Sequence, residues 1–126
     1  MFEHLNPALP TPLYAQLAER LRAAIAANDL APGDALPSVR QLAGRLRLNP
    51  GTVVQAYRDL ERAGLVELRQ GSGTYVRELA GERRAAEQAA VSGRLANEML
   101  ERAVGLGLSG DDLLNALRSA LRGERP

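Results

Sequence analysis

Apolar residues recur along the chain at spacings that predict a series of short amphipathic elements. The first series follows Thr11-Pro12, where Thr can cap a helix and Pro suits the first helical turn. Its members lie four residues apart: Leu13, Leu17, Leu21 and Ile25. This period places them on one face of a first helix. Pro32-Gly33 then indicates a turn, with Pro at its second position and Gly at its third.

Two shorter helices are predicted next, and each has its own start. Ser38 and Gln41 fit a capping box, in which each side chain bonds the backbone of the other residue. The apolar face of that helix comprises Val39, Leu42, Ala43 and Leu46. After a tight connection at Arg47-Leu48, Asn49 caps a third helix and Pro50 takes its first position. Its inward residues are Val53, Tyr57 and Leu60, and Gly64 is its expected end.

A β-hairpin is predicted after the third helix. Two alternating runs, Val66–Arg69 and Thr74–Arg77, flank the glycine-rich segment Gln70–Gly73. Two short helices joined by a tight connection form a helix-turn-helix, and a hairpin after them adds a wing. We therefore predict that residues 1–78 form a winged helix-turn-helix domain.

The tail, residues 79–126, has a separate pattern. Glu82–Ala103 predicts an Ala-rich helix that Gly105–Leu108 breaks, and Ser109 with Asp112 fits the capping box of a final helix. Two helices in about 45 residues bury too little apolar surface alone, so they pack on the winged helix or on a second copy. We favour a dimerisation tail, with these seam residues: Leu95, Met99, Leu113, Leu114, Leu117 and Leu121. The predicted fold class is mainly α with a small β-hairpin, a winged helix-turn-helix plus a C-terminal helical hairpin.

Charge is distributed unevenly between these two parts. From Pro37 to Arg77 seven Arg face three acids, whereas from Ala80 onward seven Arg face seven acids. A basic segment beside a neutral one indicates an anionic partner. All sixteen cations are Arg, whose planar fork binds phosphates and guanine edges. Codon bias in a GC-rich genome is the alternative explanation for the lack of Lys.

Composition argues against several other classes of protein. The chain has no Cys, which removes disulfides and thiolate metal sites. We expect no signal peptide, no membrane span of roughly 18 apolar residues, and a cytoplasmic location. Neither a Lys for a Schiff base nor a nucleophile paired with a base is present, so we predict no enzyme and no cofactor. His4, the only histidine, is no metal candidate.

Several separated motifs resemble those of the GntR family of bacterial repressors. They are Pro32–Asp34, Leu36–Ala43, Asn49-Pro50, Thr52-Val53, Ala56-Tyr57, Leu60-Glu61, Gly64-Leu65 and Gly71–Val76. Asn-Pro before Thr-Val, with Ala-Tyr after it, is similar to the YtrA subfamily, whose members have a short helical tail. The resemblance implies DNA contacts for Arg40, Thr52 and Gly71–Gly73. The chain departs from the subfamily at Gly51, where a second Asn is common, and at Gln55, where a basic residue is common.

The predicted DNA-binding residues come from the second helix, the start of the third helix and the wing. They are Ser38, Arg40, Asn49, Pro50, Gly51, Thr52, Gln55, Gln70, Gly71, Ser72 and Gly73. Free N–H groups at the start of the third helix suit a phosphate. Several of these residues also have a simpler explanation: Ser38 and Asn49 are helix caps first, Arg40 and Gln55 could be ordinary surface residues, and Gly71 and Gly73 could serve only the turn.

The predicted function is sequence-specific regulation of transcription, with double-stranded DNA as partner. We expect a homodimer that binds an inverted-repeat operator as a repressor, and the resemblance implies a neighbouring transporter operon as target. The alternative is a winged helix that serves only as a protein-interaction module. Salt would not govern DNA affinity in that case. The sequence leaves open whether a small molecule releases the DNA.

Overall fold

The computed structural model describes residues 5–124, in which five helices and one antiparallel hairpin follow each other along the chain. In chain order they are α1 (Leu13–Ala26), α2 (Val39–Leu46), α3 (Pro50–Arg62), β1 (Val66–Arg69), β2 (Gly73–Val76), α4 (Gly81–Gly105) and α5 (Gly110–Leu121). This order confirms the predicted fold class. His4 lies outside the described residues.

Internal contacts divide the chain into two units, Met1–Val91 and Ser92–Pro126, so the boundary falls within α4. The first unit includes the first turns of α4 because their side chains bond to α1 and to the end of α3. The domain limits predicted from the sequence, 1–78 and 79–126, remain a prediction.

The core of the first unit consists mainly of aliphatic side chains from α1, α2, α3, the hairpin and the segments next to them, together with the ring of Tyr57. Completely buried members are Leu17, Leu21, Ile25, Leu42, Val53, Leu60, Leu65, Val66 and Val76. Burial of one such side chain stabilises the fold by about 1.5–3 kcal/mol relative to its exposure. The apolar stripe predicted for α1 is therefore the core face, although Leu13 at its start is only half-buried.

The start of α1 differs from the prediction. The N-cap residue is Pro12 rather than Thr11, and no side chain caps the helix. Because Pro12 keeps an extended ψ of 150°, its carbonyl accepts the first bonds, from the N–H groups of Ala15 and Gln16. The Gln16 side chain holds the preceding segment instead, donating to the carbonyls of Asn6 and Thr11 at 2.8 Å each.

The predicted starts of α2 and α3 are confirmed. Ser38 Oγ accepts from the Gln41 N–H at 3.1 Å, and Gln41 Oε1 accepts from the Ser38 N–H at 3.1 Å. Asn49 caps α3, with Pro50 at its first position. Gly64, just past the end of α3, has φ +76°, which is the left-handed conformation expected of a helix end.

The segment before α2 is joined to the hairpin. Ala35 forms an isolated antiparallel bridge with Tyr75, and the N–H of Leu36 donates to the carbonyl of Thr74 at 2.8 Å. The Val76 N–H in turn donates to the carbonyl of Asp34 at 2.9 Å. Through these bonds the wing and the start of α2 are held in one backbone network.

Tyr57 ties α3 to the residue before α2. Its hydroxyl donates to the Pro37 carbonyl at 2.6 Å, while its ring lies in the core at 7% exposure. Burial raises the pKa of Tyr57 to about 12, because the charged phenolate is poorly solvated there.

The second unit contains the end of α4 and all of α5. Ser109 and Asp112 form the predicted capping box, and the Ser109 N–H and hydroxyl lower the pKa of Asp112 by stabilising its carboxylate. Ala103 is the only buried hydrophobic residue in the described part of this unit. Large apolar side chains are exposed instead: Leu95, Leu100, Val104, Leu106, Leu108, Leu114, Leu117 and Leu121.

We expect Tyr57→Phe to lower the free energy of unfolding at pH 7 by about 1 kcal/mol, since the Pro37 carbonyl loses its donor. A second difference arises at high pH. The folded-state pKa is raised, so the contribution of the tyrosine is complete below pH 10 and is lost as pH rises towards 12. Wild-type stability should fall by up to about 2–3 kcal/mol across that range. Tyr57→Phe should lack this loss.

Denaturant titrations of both proteins between pH 8 and 12 measure the effect. The chain has no Lys or Cys, so other side chains that titrate in this range are few. Tyr14→Phe, at a half-buried tyrosine of α1, is the matched control. An alkaline loss of the same size in Tyr57→Phe would contradict the assignment.

Candidate nucleic-acid interface

The first turn of α2 presents Arg40 to solvent. The capping box fixes this turn, and Arg40 follows as the second helical residue with an exposed side chain. Among the described residues it forms no ion pair, so its guanidinium is available to an external anion. Ser38 is exposed too, but its hydroxyl is already engaged as the cap.

Two contacts fix the start of α2 relative to its neighbours. The Tyr57 hydroxyl bonds the Pro37 carbonyl from α3, and the Ala35–Tyr75 bridge links the same segment to β2. Three parts predicted to contact DNA, namely the start of α2, helix α3 and the wing, therefore belong to one hydrogen-bonded framework.

The start of α3 differs from the prediction in its backbone donors. Pro50 has no N–H, the Gly51 N–H donates to Asn49 Oδ1 at 2.8 Å, and the Thr52 N–H donates to the Asn49 carbonyl at 2.9 Å. The expectation of free N–H groups at these positions was wrong, because Asn49 satisfies them. What remains for an anion is the partial positive charge of the helix terminus.

Thr52 and Gln55 lie three residues apart on the part of α3 that faces away from the core. Both are half-buried, whereas Asn49, Pro50 and Gly51 are exposed. Residues at this spacing are neighbours on a helix surface. The two side chains therefore form one small polar patch with hydroxyl, methyl and amide groups, which are the groups that read base edges.

The wing ends in a tight loop, Gln70–Ser72, closed by a 2.9 Å bond from the Ser72 N–H to the Arg69 carbonyl. Gly71 has φ +74° at the third position of this turn, as a type II turn requires. A Cβ at Gly71 would meet nothing within 4 Å, so the turn needs glycine for its backbone conformation and not for space. Gly73, placed in the tip by the sequence, begins β2.

A cluster that the sequence analysis missed braces the wing. The Arg69 guanidinium lies 4.2 Å from the centroid of the Tyr75 ring and pairs with Glu67 at 2.9 Å. The Tyr75 hydroxyl lies 2.6 Å from Ser72 Oγ. Arg69 thus places a cation directly beside the wing tip. The sequence shows that Arg69 directly precedes the wing tip, which could have marked it as a candidate. It does not show that Tyr75, on the other strand, is its stacking partner.

All seven arginines from Pro37 to Arg77 are exposed: Arg40, Arg45, Arg47, Arg58, Arg62, Arg69 and Arg77. Within residues 5–124, two of them have acidic partners, Arg62 with Asp59 and Arg69 with Glu67. The basic character predicted for this segment is therefore a property of its surface.

Comparison with protein-family models finds a match over residues 13–76, which is the whole span from α1 to β2. The matching model is described as "Bacterial regulatory proteins, gntR family". The chain belongs to this family. The match covers the helix-turn-helix and the wing, and it confirms the family predicted from the motifs.

Relatives extend the likeness beyond the winged helix. The chain is 34% identical over 116 residues to the uncharacterized HTH-type transcriptional regulator YhcF of Bacillus subtilis, covering 89% of this chain and 92% of the relative. It is 42% identical over 74 residues to the HTH-type transcriptional repressor YtrA of the same organism, covering 59% of this chain and 57% of that protein. The predicted similarity to YtrA is thus confirmed, and both relatives are named as regulators of transcription.

Solved structures of the family share the fold. A GntR family transcriptional regulator from Listeria monocytogenes aligns with a TM-score of 0.69 at 26% identity, covering 87% of this chain and 96% of that one. The DNA-binding domain of AraR, solved in complex with operator ORE1, aligns with a TM-score of 0.51 at 29% identity. It covers 57% of this chain and 88% of that domain.

Residues 5–124 contain neither a membrane-spanning helix nor a cluster of metal-binding side chains. No helix in this range is long and apolar enough to cross a bilayer. No group of three or more His, Asp or Glu side chains in the same range is arranged to hold a metal ion.

Proposed function

We propose that this chain is a sequence-specific transcriptional repressor that binds an inverted-repeat operator as a homodimer. The proposal rests on the exposed, basic surface of the winged helix. Seven arginines between Pro37 and Arg77 are all exposed, on a fold whose relative AraR was solved with operator DNA. Exposed cations supply affinity for phosphates, and the polar patch of α3 supplies the choice of sequence.

DNA recognition in this proposal uses three elements. Arg40 at the start of α2 reaches a phosphate or a base edge, while Thr52 and Gln55 of α3 face the major groove. The loop Gln70–Ser72 approaches the backbone or the minor groove, where Arg69 adds a cation. Ser38 and Asn49 contribute as caps that hold these side chains in place.

The tail supports the homodimer in this proposal. Leu95, Leu114, Leu117 and Leu121 expose between 41% and 87% of their surface, and Met99 and Leu113 are half-buried. Exposed apolar surface of this extent marks an interaction site. A second copy of the chain is the partner we propose, because its identical apolar face is self-complementary about a two-fold axis.

Repression is favoured over activation because the relative YtrA is named a repressor. Following the implication of the motifs, we propose a neighbouring transporter operon as the target and the cytoplasm as the place of action. No enzymatic activity forms part of this proposal, since the family and the two relatives are named as regulators.

We expect the affinity for operator DNA to fall steeply with salt, by about 0.9 log units per log unit of salt for each phosphate contact. Arg40→Ala should cost about 1–3 kcal/mol if the guanidinium holds a base edge. Gel-shift titrations across salt concentrations measure both effects. Arg118→Ala, which removes an exposed arginine from α5, is the matched control and should bind as wild type does. An affinity that does not respond to salt would refute DNA binding as the function.

Changes at Thr52 and Gln55 should alter which sequence is bound more than non-specific affinity. Gln can form two hydrogen bonds with adenine, and the Thr methyl can contact a thymine methyl. Selection from random DNA by wild type and by Gln55→Ala tests this, with Gln88→Ala on the exposed surface of α4 as the control. Recovery of the wild-type motif by Gln55→Ala would exclude Gln55 from base readout.

Replacement of Leu117 and Leu121 by Glu should dissociate the dimer without unfolding the winged helix, because like charges would face each other across the seam. Each monomer keeps its DNA-binding surface. It loses the gain in affinity that comes from binding two linked half-sites, which reaches about 10²–10⁴-fold. Sedimentation, followed by binding to a full operator and to one half-site, measures the two effects. Half-sites should lie about one helical turn apart, roughly 34–36 Å.

The control for the tail carries Asn115→Glu and Arg122→Glu, two exposed positions of the same segment outside the predicted seam. It should remain dimeric. A Leu117/Leu121 variant that sediments as a monomer but binds the full operator as tightly as wild type would contradict the role of the tail.

A further inference from the structure

The connection between the wing and the tail is short and irregular. Residues 77–80, between β2 and α4, form no helix or strand, and three of the four are exposed. Two contacts anchor this link: the Arg77 N–H donates to the Leu65 carbonyl at 3.0 Å, and Leu79 packs against the core. Beyond these two anchors, the direction of the first turns of α4 depends on the contacts that their own side chains make.

Two adjacent arginines supply contacts to the ends of two core helices. Arg84 Nη1 donates to the carbonyl of Ile25, in the last turn of α1, at 2.5 Å. Arg83 Nη2 donates to the carbonyl of Ala63, the C-cap residue of α3. Helix C-termini carry unpaired carbonyls and a partial negative charge, so a guanidinium is well suited to both positions.

A carboxylate one turn later joins this arrangement. Glu87, whose side chain is 12% exposed, pairs with Arg83 Nε at 3.2 Å and with Arg22 Nη1 of α1 at 3.6 Å. Its Oε2 atom is buried and accepts no hydrogen bond among the described residues. The ion pair with Arg22 is therefore the interaction that compensates for the burial of this charged atom. A buried charge that loses its partner is strongly unfavourable, so the pair resists separation.

We propose that Arg22, Arg83, Arg84 and Glu87 form an ion-pair lock whose role is to fix the direction of α4 and thereby the half-site spacing that the dimer accepts. The four are positioning residues, and the inference rests on the proposed function. It adds a determinant of operator choice that lies outside the recognition helix and the wing.

The length of α4 makes its starting direction important. The part of α4 within the first unit, Gly81–Val91, is about 16 Å long, so a tilt of about 10° at its start displaces Val91 by about 3 Å. Successive base pairs are about 3.4 Å apart and rotated by about 34–36°, so this displacement corresponds to about one base pair. A loosened lock should therefore let the dimer tolerate a wider range of spacings.

The lock is separate from the proposed DNA-contacting residues. Ala63 lies eleven residues after Thr52, about 16 Å further along α3. Loss of the lock should consequently change spacing preference without changing the affinity of one winged helix for one half-site. A residue that merely stabilised the winged helix would change both.

The experiment uses the full chain and operators obtained by wild-type selection from random DNA. The two half-sites are then moved apart or together in single base-pair steps, and Kd is measured for each spacing and for an isolated half-site. Variants are Arg84→Met, which removes the charge and the donor, and Glu87→Gln, which removes the charge but keeps the shape. Arg102→Met, an exposed arginine on α4 outside the lock, is the matched control.

We expect wild type and Arg102→Met to lose at least about 10-fold in affinity when the spacing changes by one base pair, because the linked sites no longer coincide. Arg84→Met and Glu87→Gln should lose less than about 3-fold, with half-site affinity and dimerisation unchanged. Arg84→Lys should be intermediate, since it keeps the charge but not the planar fork. Backbone amides of residues 82–90 should exchange hydrogen faster in Arg84→Met than in wild type.

Each result decides a different point. Spacing profiles as sharp in both lock variants as in wild type would overturn the lock, and so would a loss of half-site affinity in parallel with the change in profile. If Arg84→Met does not fold, Glu87→Gln carries the comparison alone. Wild-type protein that binds a full operator no more tightly than a half-site would overturn the proposed function itself, and the lock with it.

Discussion

Burial of the aliphatic faces of α1 and α3 against each other is the interaction on which the rest of the winged helix depends. Leu17, Leu21 and Ile25 of α1 and Val53 and Leu60 of α3 are completely excluded from water. The chain has no Trp and only one Phe, so aliphatic side chains supply most of this packing, and among the described residues Tyr57 is the one buried aromatic ring. Side-chain entropy lost on burial is small for Leu, Ile and Val, which suits them to a small core.

The start of α2 and the wing are attached to this helix pair by apolar packing and by a small number of polar contacts. Tyr57 sits at the boundary, with its ring in the core and its hydroxyl on the Pro37 carbonyl before α2. The wing reaches the same segment through Ala35 and Tyr75. One framework therefore sets the positions of the start of α2 and of the wing. Such rigidity suits a surface that must match a fixed pattern of phosphates and base edges.

The two ends of the α1–α3 pair serve different purposes in our proposal. The N-terminal end of α3 presents the polar patch around Thr52 and Gln55. At the C-terminal ends, arginines of α4 bind the carbonyls of Ile25 and Ala63. Recognition of one half-site and placement of two half-sites would then be separable properties of one small domain. The similarity to YhcF covers 92% of that protein and 89% of this chain, so it includes residues of the tail as well as the winged helix.

The sequence by itself determined the order of the elements and the starts of α2, α3 and α5, because the relevant information is local. Apolar spacing, the Ser38 and Ser109 capping boxes, Asn49-Pro50 and the glycines at turns each act within a few residues, and the structure confirms them. Family motifs added the class of function, since several of them occur in the right order along one domain.

Only the tertiary structure decided which polar groups meet across elements. Asn49 accepts hydrogen bonds from the N–H groups of Gly51 and Thr52, which the sequence analysis had expected to be free for a phosphate. Arg69 stacks on Tyr75 of the neighbouring strand, and Arg84 donates to the carbonyl of Ile25, which lies 59 residues earlier in the chain. A long side chain such as Arg has many rotamers and binds any nearby acceptor, so its sequence neighbours do not specify its partner. That choice depends on which helix ends and ring faces the folded core brings within reach.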